Sequence, residues 1–193
     1  MPDPAPDETA GWTFDALARA GPATLEAVLR GGAAPDPAGL DGHVYRGWNH
    51  AWITTLSGRK FRKGFRRRAG QAFGYNELVR RDGRGPEGEW EPKLRRGRPR
   101  QLGYYRVSAV ADEPPGRLAD RYGRLALLDY GVGLNAGLTL PLRAIRDYVA
   151  RANPGDDGLL VGKAYLRLGR RSPSVFATYF VLGHRRPIEH EPW

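Results

Sequence analysis

Two apolar stretches near the C-terminal end decide the fold: residues 159–168, LLVGKAYLRL, and residues 174–184, SVFATYFVLGH. Both are short, rich in β-branched and aromatic residues and bounded by glycine, proline or serine, which is typical of strands. In both stretches the odd-numbered and the even-numbered positions are largely apolar. The pattern therefore predicts strands buried on both faces, with a core or cavity on one side and a helix or partner on the other.

The same rhythm of short apolar-aromatic runs between glycine, proline and aspartate extends back to Gly42. It favours an antiparallel sheet or barrel, and the number of runs, eight, is natural for a small closed barrel. The run at 144–152 also fits a helical stripe, so strand and helix both stay open there. The fold class is thus mainly β, with strands predicted at residues 43–48, 60–67, 72–81, 103–111, 124–130, 144–152, 159–168 and 174–184.

Short helices are predicted before the barrel. Thr13 is a suitable N-cap for a helix that starts at Phe14, and a second helix runs from Pro22 to the glycine pair Gly31 and Gly32. A chain of 193 residues suits one domain with a sizeable core. The expected organisation is a disordered lead-in at 1–11, a single barrel domain with its helices at 12–186, and a tail at 187–193.

Composition excludes several classes of function. The chain has no cysteine, which excludes a disulfide framework, a thiolate nucleophile and a cysteine-ligated zinc site. The four histidines fit no familiar metal spacing, and no Walker loop, Rossmann fingerprint, nucleophile elbow or His-Glu-x-x-His helix is present. We therefore expect neither a metal nor a cofactor.

The termini and the charge give further expectations. The N-terminal sequence MPDPAPDETAGW is acidic and proline-rich, unlike a signal peptide, and no apolar run is long enough to cross a bilayer. These features predict a soluble, cytoplasmic protein. The formal net charge of +10 favours acidic partners, namely nucleic acid, an anionic membrane or a negatively charged small molecule.

Residues 42–186 resemble the lipocalin and fatty-acid-binding barrels, the calycins, which combine a short N-terminal helix, an early tryptophan and eight strands. Calycins usually carry Gly-x-Trp on the first strand and a late basic residue that packs across that tryptophan. Here Gly47 directly precedes Trp48, and Arg185 or Arg186 follows the last predicted strand. The resemblance implies a pocket for a small hydrophobic or amphipathic ligand, which is the leading hypothesis for function.

The last two strands suggest which residues line that pocket. Lys163 shares one face with Tyr165, and Tyr179 on the next strand would meet them inside the barrel. A buried lysine is costly unless it is neutralised, and the carboxylate of an amphipathic ligand would neutralise it. Alternatively, Lys163 faces outward or pairs with Asp147 or Asp129. The predicted ligand-binding residues are Trp48, Tyr75, Tyr104, Lys163, Tyr165 and Tyr179.

Two basic segments carry a second hypothesis, a nucleic-acid-binding protein. Residues 93–101, KLRRGRPRQ, resemble the AT-hook, a minor-groove element in which Pro99 would keep the backbone extended and Gly97 would avoid the groove floor. A solvated basic loop is the alternative. In residues 58–68, GRKFRKGFRRR, the phenylalanines either stack bases beneath a basic face or anchor the core. The residues predicted to bind polyanions are Arg59, Lys60, Arg62, Lys63, Arg66, Arg96, Arg98 and Arg100.

A repeated Asp-Tyr pair carries a third hypothesis, a small barrel isomerase or cyclase. A buried carboxylate beside a phenol can have a raised pKa and transfer protons. Alternatively, each aspartate pairs with a nearby base such as Arg143, Arg146 or Lys163. No complete set of nucleophile, base and orienting residue is present, so the sequence favours binding over catalysis. The residues of this hypothesis are Asp129, Tyr130, Asp147 and Tyr148.

Overall fold

The computed structural model describes residues 11–50, 59–80, 85–112, 116–132, 135, 140–167 and 174–190. Within them, eight strands form a closed antiparallel barrel, as the sequence predicts. Each barrel strand pairs with the next one along the chain, and the last pairs with the first. The barrel strands are β1 (His43–Asn49), β2 (Lys60–Arg68), β3 (Gln71–Leu78), β6 (Gln101–Ala109), β7 (Ala126–Asp129), β8 (Ile145–Arg151), β9 (Leu160–Leu166) and β10 (Val175–Pro187), while β4 (Leu94–Arg95) and β5 (Arg98–Pro99) form a separate hairpin.

The boundaries differ from the prediction mainly at the C-terminal end. β10 continues to Pro187, and the Ile188 N–H donates to the Gly42 carbonyl at 2.9 Å, so the tail predicted from residue 187 begins with bonded residues. The segment 144–152, which the sequence left undecided between strand and helix, contains a strand, β8. Positions 1–10 of the predicted lead-in lie outside the described residues, as do the ends of two predicted strands at 81 and 168.

The two N-terminal helices are confirmed. The Thr13 side chain accepts the Ala16 N–H at 3.2 Å and caps α1, and Gly32 ends α2. Among the described residues no helix is long and apolar enough to cross a membrane. The helices are α1 (Phe14–Arg19), α2 (Pro22–Gly31), α3 (Pro37–Leu40), α4 (Arg117–Tyr122) and α5 (Leu140–Arg143).

Two cores lie on opposite sides of the sheet. The inner core contains side chains from opposite walls of the barrel, such as Phe65, Leu128 and Leu182. The outer core lies beneath α1 and α2, where Leu17 and Leu25 pack on the outside of β8, β9 and β10. The two apolar faces predicted for the last strands are therefore an inner face against the barrel core and an outer face against helices.

Glycines let aromatic rings fill the barrel. Gly162 lies opposite Phe180 in the β9–β10 ladder, and Gly47 lies opposite Phe61 in the β1–β2 ladder. A Cβ atom on either glycine would overlap the facing ring. The rings of Phe61 and Phe180 meet edge to face with centroids 6.1 Å apart. Since an eight-stranded barrel is just wide enough for side chains, rings laid over glycines occupy much of it.

We expect Gly162→Ala to destabilise the protein by about 1–3 kcal/mol, because the new methyl group meets a ring that the packed interior holds in place. Chemical denaturation measures the change. Gly31→Ala is the matched control: it adds the same methyl group at the end of α2, where no atom lies within 4 Å, and should be neutral or slightly stabilising. Equal stability of Gly162→Ala and the parent protein would contradict this packing.

Candidate functional site

The predicted pocket residues of the last strands lie outside the barrel. Lys163 and Tyr179 are directly paired in the β9–β10 ladder, as expected, but they face α2 and the outer core. The inner face of β9 consists of Leu160, Gly162 and Ala164. The prediction that Lys163, Tyr165 and Tyr179 line the interior is therefore wrong. The alternative, an outward Lys163, is correct, although its partner is a helix residue.

The other three predicted ligand-binding residues also face outward, at separate places. Trp48 is buried in the outer core, and the guanidinium over its ring, at 5.6 Å, belongs to Arg59 rather than to a residue after β10. Tyr75 lies over Gly64, its outward-facing partner in β2. Tyr104 is half-buried, and the Asn135 side chain binds its backbone. These six residues do not assemble one pocket.

Lys163 belongs to an ionic cluster that joins α2 to the sheet, here called the Glu26 cluster. Glu26 Oε2 accepts hydrogen bonds from Lys163 Nζ at 2.8 Å and from the Tyr179 hydroxyl at 2.6 Å. The other carboxylate oxygen accepts from the Tyr122 hydroxyl at 3.1 Å and from the Arg121 guanidinium. The members are Glu26, Arg121, Tyr122, Lys163, Tyr165 and Tyr179.

The pKa values in the Glu26 cluster move away from neutrality. Burial acts to raise the pKa of Glu26, but hydrogen bonds from Lys163 and Tyr179 and the nearby positive charges outweigh it and lower that pKa to about 2. Burial acts to lower the pKa of Lys163, but its hydrogen bonds raise it. Groups that transfer protons near neutral pH need pKa values close to neutrality. The cluster is therefore a set of fixed charges that fastens α2 to the barrel.

The buried cation inside the barrel is Lys63. Its ammonium group lies 3.0 Å from Asp147 Oδ2 and 2.5 Å from the Tyr130 hydroxyl, which is itself 3.1 Å from the same carboxylate oxygen. The Tyr105 ring centroid lies 4.6 Å from Lys63 Nζ, and Phe180 contributes a second ring at 5.1 Å. β2 and β8, which carry Lys63 and Asp147, lie four strands apart in either direction around the barrel. The ion pair therefore spans the interior.

The Asp-Tyr pairs do not assemble as predicted. In each pair the neighbours face opposite sides of the sheet: Asp129 is on the outside, 2.9 Å from Arg146, and Tyr148 lies in the outer core. Tyr130 and Asp147, from different pairs, meet inside the barrel, where they are 2 % and 3 % exposed. Burial raises the pKa of Asp147, an effect that the charge of Lys63 opposes. Ion pairing of each aspartate is the alternative considered above: Asp129 pairs with Arg146, a named candidate, whereas Asp147 pairs with Lys63, which was not one.

A concave site lies on the outside of β1, β2 and β10, beside residues 89–92. The groove has a volume of about 300 Å³. Arg46 and Arg62 are direct cross-strand partners on its floor, and Arg186 follows on β10. We call it the arginine groove, and its lining comprises Val44, Tyr45, Arg46, Arg62, Glu89, Trp90, Glu91, Pro92, His184, Arg186, Pro187 and Glu189.

Trp90 is fixed as one wall of the arginine groove. Its indole N–H donates to the Gly47 carbonyl at 3.2 Å, and the ammonium group of Lys60 lies 4.4 Å from the ring centroid. The Arg46 guanidinium lies 5.2 Å from the same ring. The tryptophan is therefore held by a hydrogen bond and two cation–π contacts, so that the groove is formed before any ligand arrives.

Positive charge is crowded on the floor. Arg62 is paired with Glu77 at 3.1 Å, but in the described part of the chain neither Arg46 nor Arg186 has a carboxylate within ion-pair distance. Burial and the charges of Arg186 and Arg62 lower the pKa of Arg46, and Glu89 acts in the opposite direction. Like charges placed opposite each other on a sheet are destabilising, and a bound anion relieves their repulsion.

A bulge shapes the open side of the arginine groove. The β1–β10 register shifts between Val44 and Arg46, and His184 adopts a φ of +50° at that point. Left-handed backbone is uncommon outside glycine and often marks functional or strained positions. The His184 ring packs edge to face on Phe14, with centroids 5.0 Å apart, so that α1 supports this side of the groove.

The predicted basic face of β2 is dispersed. Lys63 is inside the barrel, Lys60 is buried against Trp90 and bonded to the Glu87 carbonyl, and Arg62 pairs with Glu77. Phe61 and Phe65 are core anchors, the alternative considered for them. Arg66 is half-buried and Arg59 is exposed, whereas Arg96, Arg98 and Arg100 are exposed around the β4–β5 hairpin. The basic residues of β2 and the adjoining Arg59 therefore do not form a single charged surface.

Sequence reasoning missed Arg46, Trp90 and Glu26. Arg46 offered one usable signal, a charge inside an otherwise apolar strand, and Trp90 offered another, a lone large aromatic residue in a polar segment. Glu26 gave none, because a glutamate on a short helix is usually solvated. Its role depends on a lysine 137 positions away in the chain.

Comparisons with protein-family models, with curated proteins and with solved structures gave no match. The described ranges contain no group of three or more histidine, aspartate or glutamate side chains placed to hold a metal ion. The arginine groove is therefore interpreted from its own chemistry.

The Glu26 cluster predicts a specific pH dependence of stability. The pKa of Glu26 is about 2 in the folded protein and 4.5 in the unfolded chain. Because the folded value is lower, the stabilisation is complete above about pH 4.5 and is lost as the pH falls towards 2. Glu26→Gln should lower the free energy of unfolding by roughly 2 kcal/mol at pH 7 and by progressively less in acid. Urea unfolding at several pH values measures the difference.

The matched control is Glu91→Gln, which removes an exposed carboxylate 3.5 Å from Arg80. Exposed pairs of this kind contribute little, so this variant should track the parent protein at each pH. A Glu26→Gln deficit that does not shrink in acid would contradict the role assigned to the carboxylate.

Proposed function

We propose that this protein binds a small amphipathic anion, and that the ligand lies in the arginine groove on the outside of the barrel. The observation that carries the proposal is the crowding of Arg46, Arg62 and Arg186 in the groove, where Arg46 and Arg62 are partly buried and Arg186 is exposed. Guanidinium groups present fixed donors that match carboxylate, sulfonate and phosphate oxygens. A monovalent anion would relieve the repulsion among them.

The walls support an amphipathic ligand rather than a fully polar one. Val44, Trp90, Pro92 and Pro187 supply apolar surface beside the cationic floor. A volume of about 300 Å³ is at the small end of the range for ligand pockets, which suits a short acyl chain or one aromatic ring. The anionic head would contact Arg46 and Arg186, and the apolar part would lie along Trp90.

Acidic residues on the rim restrict the ligand to a small one. Glu89, Glu91 and Glu189 are exposed around the groove. Their charges repel a long polyanion that has to cross the rim, but leave room for one anionic group at the floor. The site therefore favours a single carboxylate, sulfonate or phosphate over nucleic acid.

The interior is the less favourable place for such a ligand. A barrel that binds a fatty acid through an internal cation needs that cation unpaired, whereas Lys63 already has Asp147 at 3.0 Å. Phe61 and Phe180 also occupy the space over Gly47 and Gly162. An internal ligand would have to displace both a ring and an ion pair.

Octanoate should therefore bind, and octanol of equal chain length should bind at least tenfold more weakly, since only octanoate carries the charge. Arg46→Met, which keeps an unbranched stem beside Trp90 but removes the charge, should weaken octanoate binding about tenfold or more, the equivalent of roughly 1.4 kcal/mol. Isothermal titration calorimetry measures both affinities. Arg186→Met, at an exposed position, should act in the same direction without affecting folding.

Arg68→Met is the matched control, because it removes the same charge at an exposed position at the far end of β2. It should leave octanoate affinity within about twofold of the parent value. Equal losses in Arg46→Met and Arg68→Met would reduce the effect to net charge, and failure of octanoate to bind the parent protein would refute the groove as its site.

A further inference from the structure

The β4–β5 hairpin, residues 93–100, is an exposed basic ribbon that the arginine groove does not use. Its side chains are exposed except for that of Pro99, which is half-buried, and Leu94 is 57 % exposed. The charged members are Lys93, Arg95, Arg96, Arg98 and Arg100. We propose that this ribbon docks in the major groove of B-form DNA and contacts its phosphates.

The ribbon has a defined shape. Arg96 and Gly97 form its two-residue turn with φ values of +53° and +75°, the double left-handed conformation of a type I′ hairpin turn. Leu94 pairs with Pro99 and Arg95 with Arg98. This tight turn differs from the extended backbone that an AT-hook needs to lie along a minor groove.

Its base is attached to the barrel. The Lys93 N–H donates to the Leu78 carbonyl at 2.7 Å, and the Leu78 N–H donates to the Arg100 carbonyl at 3.1 Å. A further bond at 2.7 Å joins the Arg100 N–H to the Lys93 carbonyl. The end of β3 therefore holds both strands of the ribbon, which presents its charges in a fixed arrangement.

The charges of the ribbon lack internal compensation. Arg95 lies directly opposite Arg98, a like-charge pair that destabilises an isolated hairpin. Within the described residues, no carboxylate forms an ion pair with any of the five cations of the ribbon. A phosphate between the strands would turn that repulsion into attraction.

The geometry favours duplex DNA among polyanions. A two-stranded ribbon fits the major groove of B-DNA, which is about 12 Å wide, whereas the major groove of A-form RNA is too narrow and deep for side chains. The cations are mostly arginines, which contact phosphates bidentately. The proposed contacts are to phosphates, which carry no sequence information, so binding should depend mainly on the DNA backbone.

The test compares two triple variants with equal charge. The ribbon triple removes three charges from the ribbon by replacing Arg96, Arg98 and Arg100 with Gln. The control triple removes three exposed charges elsewhere by replacing Arg30, Arg67 and Arg68 with Gln. Both variants have a formal net charge of +7, since 10 − 3 = 7. Fluorescence anisotropy with a 24-base-pair duplex at several salt concentrations measures the affinity and its salt dependence. The ribbon triple should reduce the magnitude of the slope of log K against log [salt] by about 2–3, and the control triple should reduce it by less than 1.

A second variant separates shape from charge. Gly97→Val keeps all five cations but places a β-branched residue at a φ of +75°, which disfavours the turn. We expect it to weaken duplex binding about fivefold or more at constant net charge. Arg96→Asn, which suits a type I′ turn, should lose only the contribution of one charge.

Several results would overturn the proposal. Equal losses in the two triples, full affinity in Gly97→Val, or no duplex binding by the parent protein would each refute a shaped ribbon. Equal affinity for duplex RNA would refute docking in the major groove. A preference for A·T-rich duplex that the ribbon triple abolishes would assign the segment to the minor groove. Binding to phosphatidylserine vesicles but not to DNA, lost in the same triple, would assign it to a membrane.

Discussion

The ion pair between Lys63 and Asp147 is the constraint on which the rest of the structure depends. It connects opposite walls of the barrel, with Nζ 3.0 Å from Oδ2, inside a cage of aromatic rings. Removing two charges from water costs several kcal/mol per ion, and close contact together with extra hydrogen bonds must offset that cost. Tyr130 supplies one such bond, and Asn76 in turn donates to the Tyr130 hydroxyl at 3.1 Å. Both side chains of the pair are buried, with 1 % of Lys63 and 3 % of Asp147 exposed.

The ligand that we propose binds on the outer surface of the barrel, and that surface is divided. On β8, β9 and β10 the helices cover the sheet, and the Glu26 cluster fastens α2 to it. On β1 and β2 the arginine groove lies beside residues 89–92. The two lysines illustrate the division: Lys63 and Lys163 each have a carboxylate within 3.0 Å, whereas Arg46 and Arg186 have none among the described residues.

The architecture was predictable from local patterns, because glycine and proline punctuation and apolar runs act over a few residues. The eight barrel strands, the Thr13 cap and the end of α2 at Gly32 follow from such signals. Which face points inward was not predictable. Along β9, Val161 and Leu160 are both fully buried, one against the outer core and one inside, so hydrophobicity cannot distinguish the faces. A shift of one residue exchanges every side chain between the two faces, so the sequence prediction put Lys163 inside the barrel, whereas it lies outside against α2.

The sites depend on contacts that no local pattern encodes. Glycine opposite phenylalanine, as at Gly162 and Phe180, becomes visible only when the register of two strands is known. The basic segment at 93–100 contains the residues of a hook but forms a hairpin, because Leu94 and Pro99 pair around the turn. Arg46 meets Arg62 only through the β1–β2 ladder. Residue types therefore suggested the chemistry, and the register decides where it is located.

The most direct test is the octanoate affinity of the double variant Lys63→Met, Asp147→Leu. Either single substitution leaves a buried charge unpaired and should cost about 3–5 kcal/mol of stability, whereas the double variant replaces the pair by apolar side chains and should fold. If the pair is part of a closed core and the ligand binds in the arginine groove, the double variant binds octanoate with the affinity of the parent protein. A folded double variant that has lost octanoate binding tenfold or more would contradict this account and place the ligand inside the barrel.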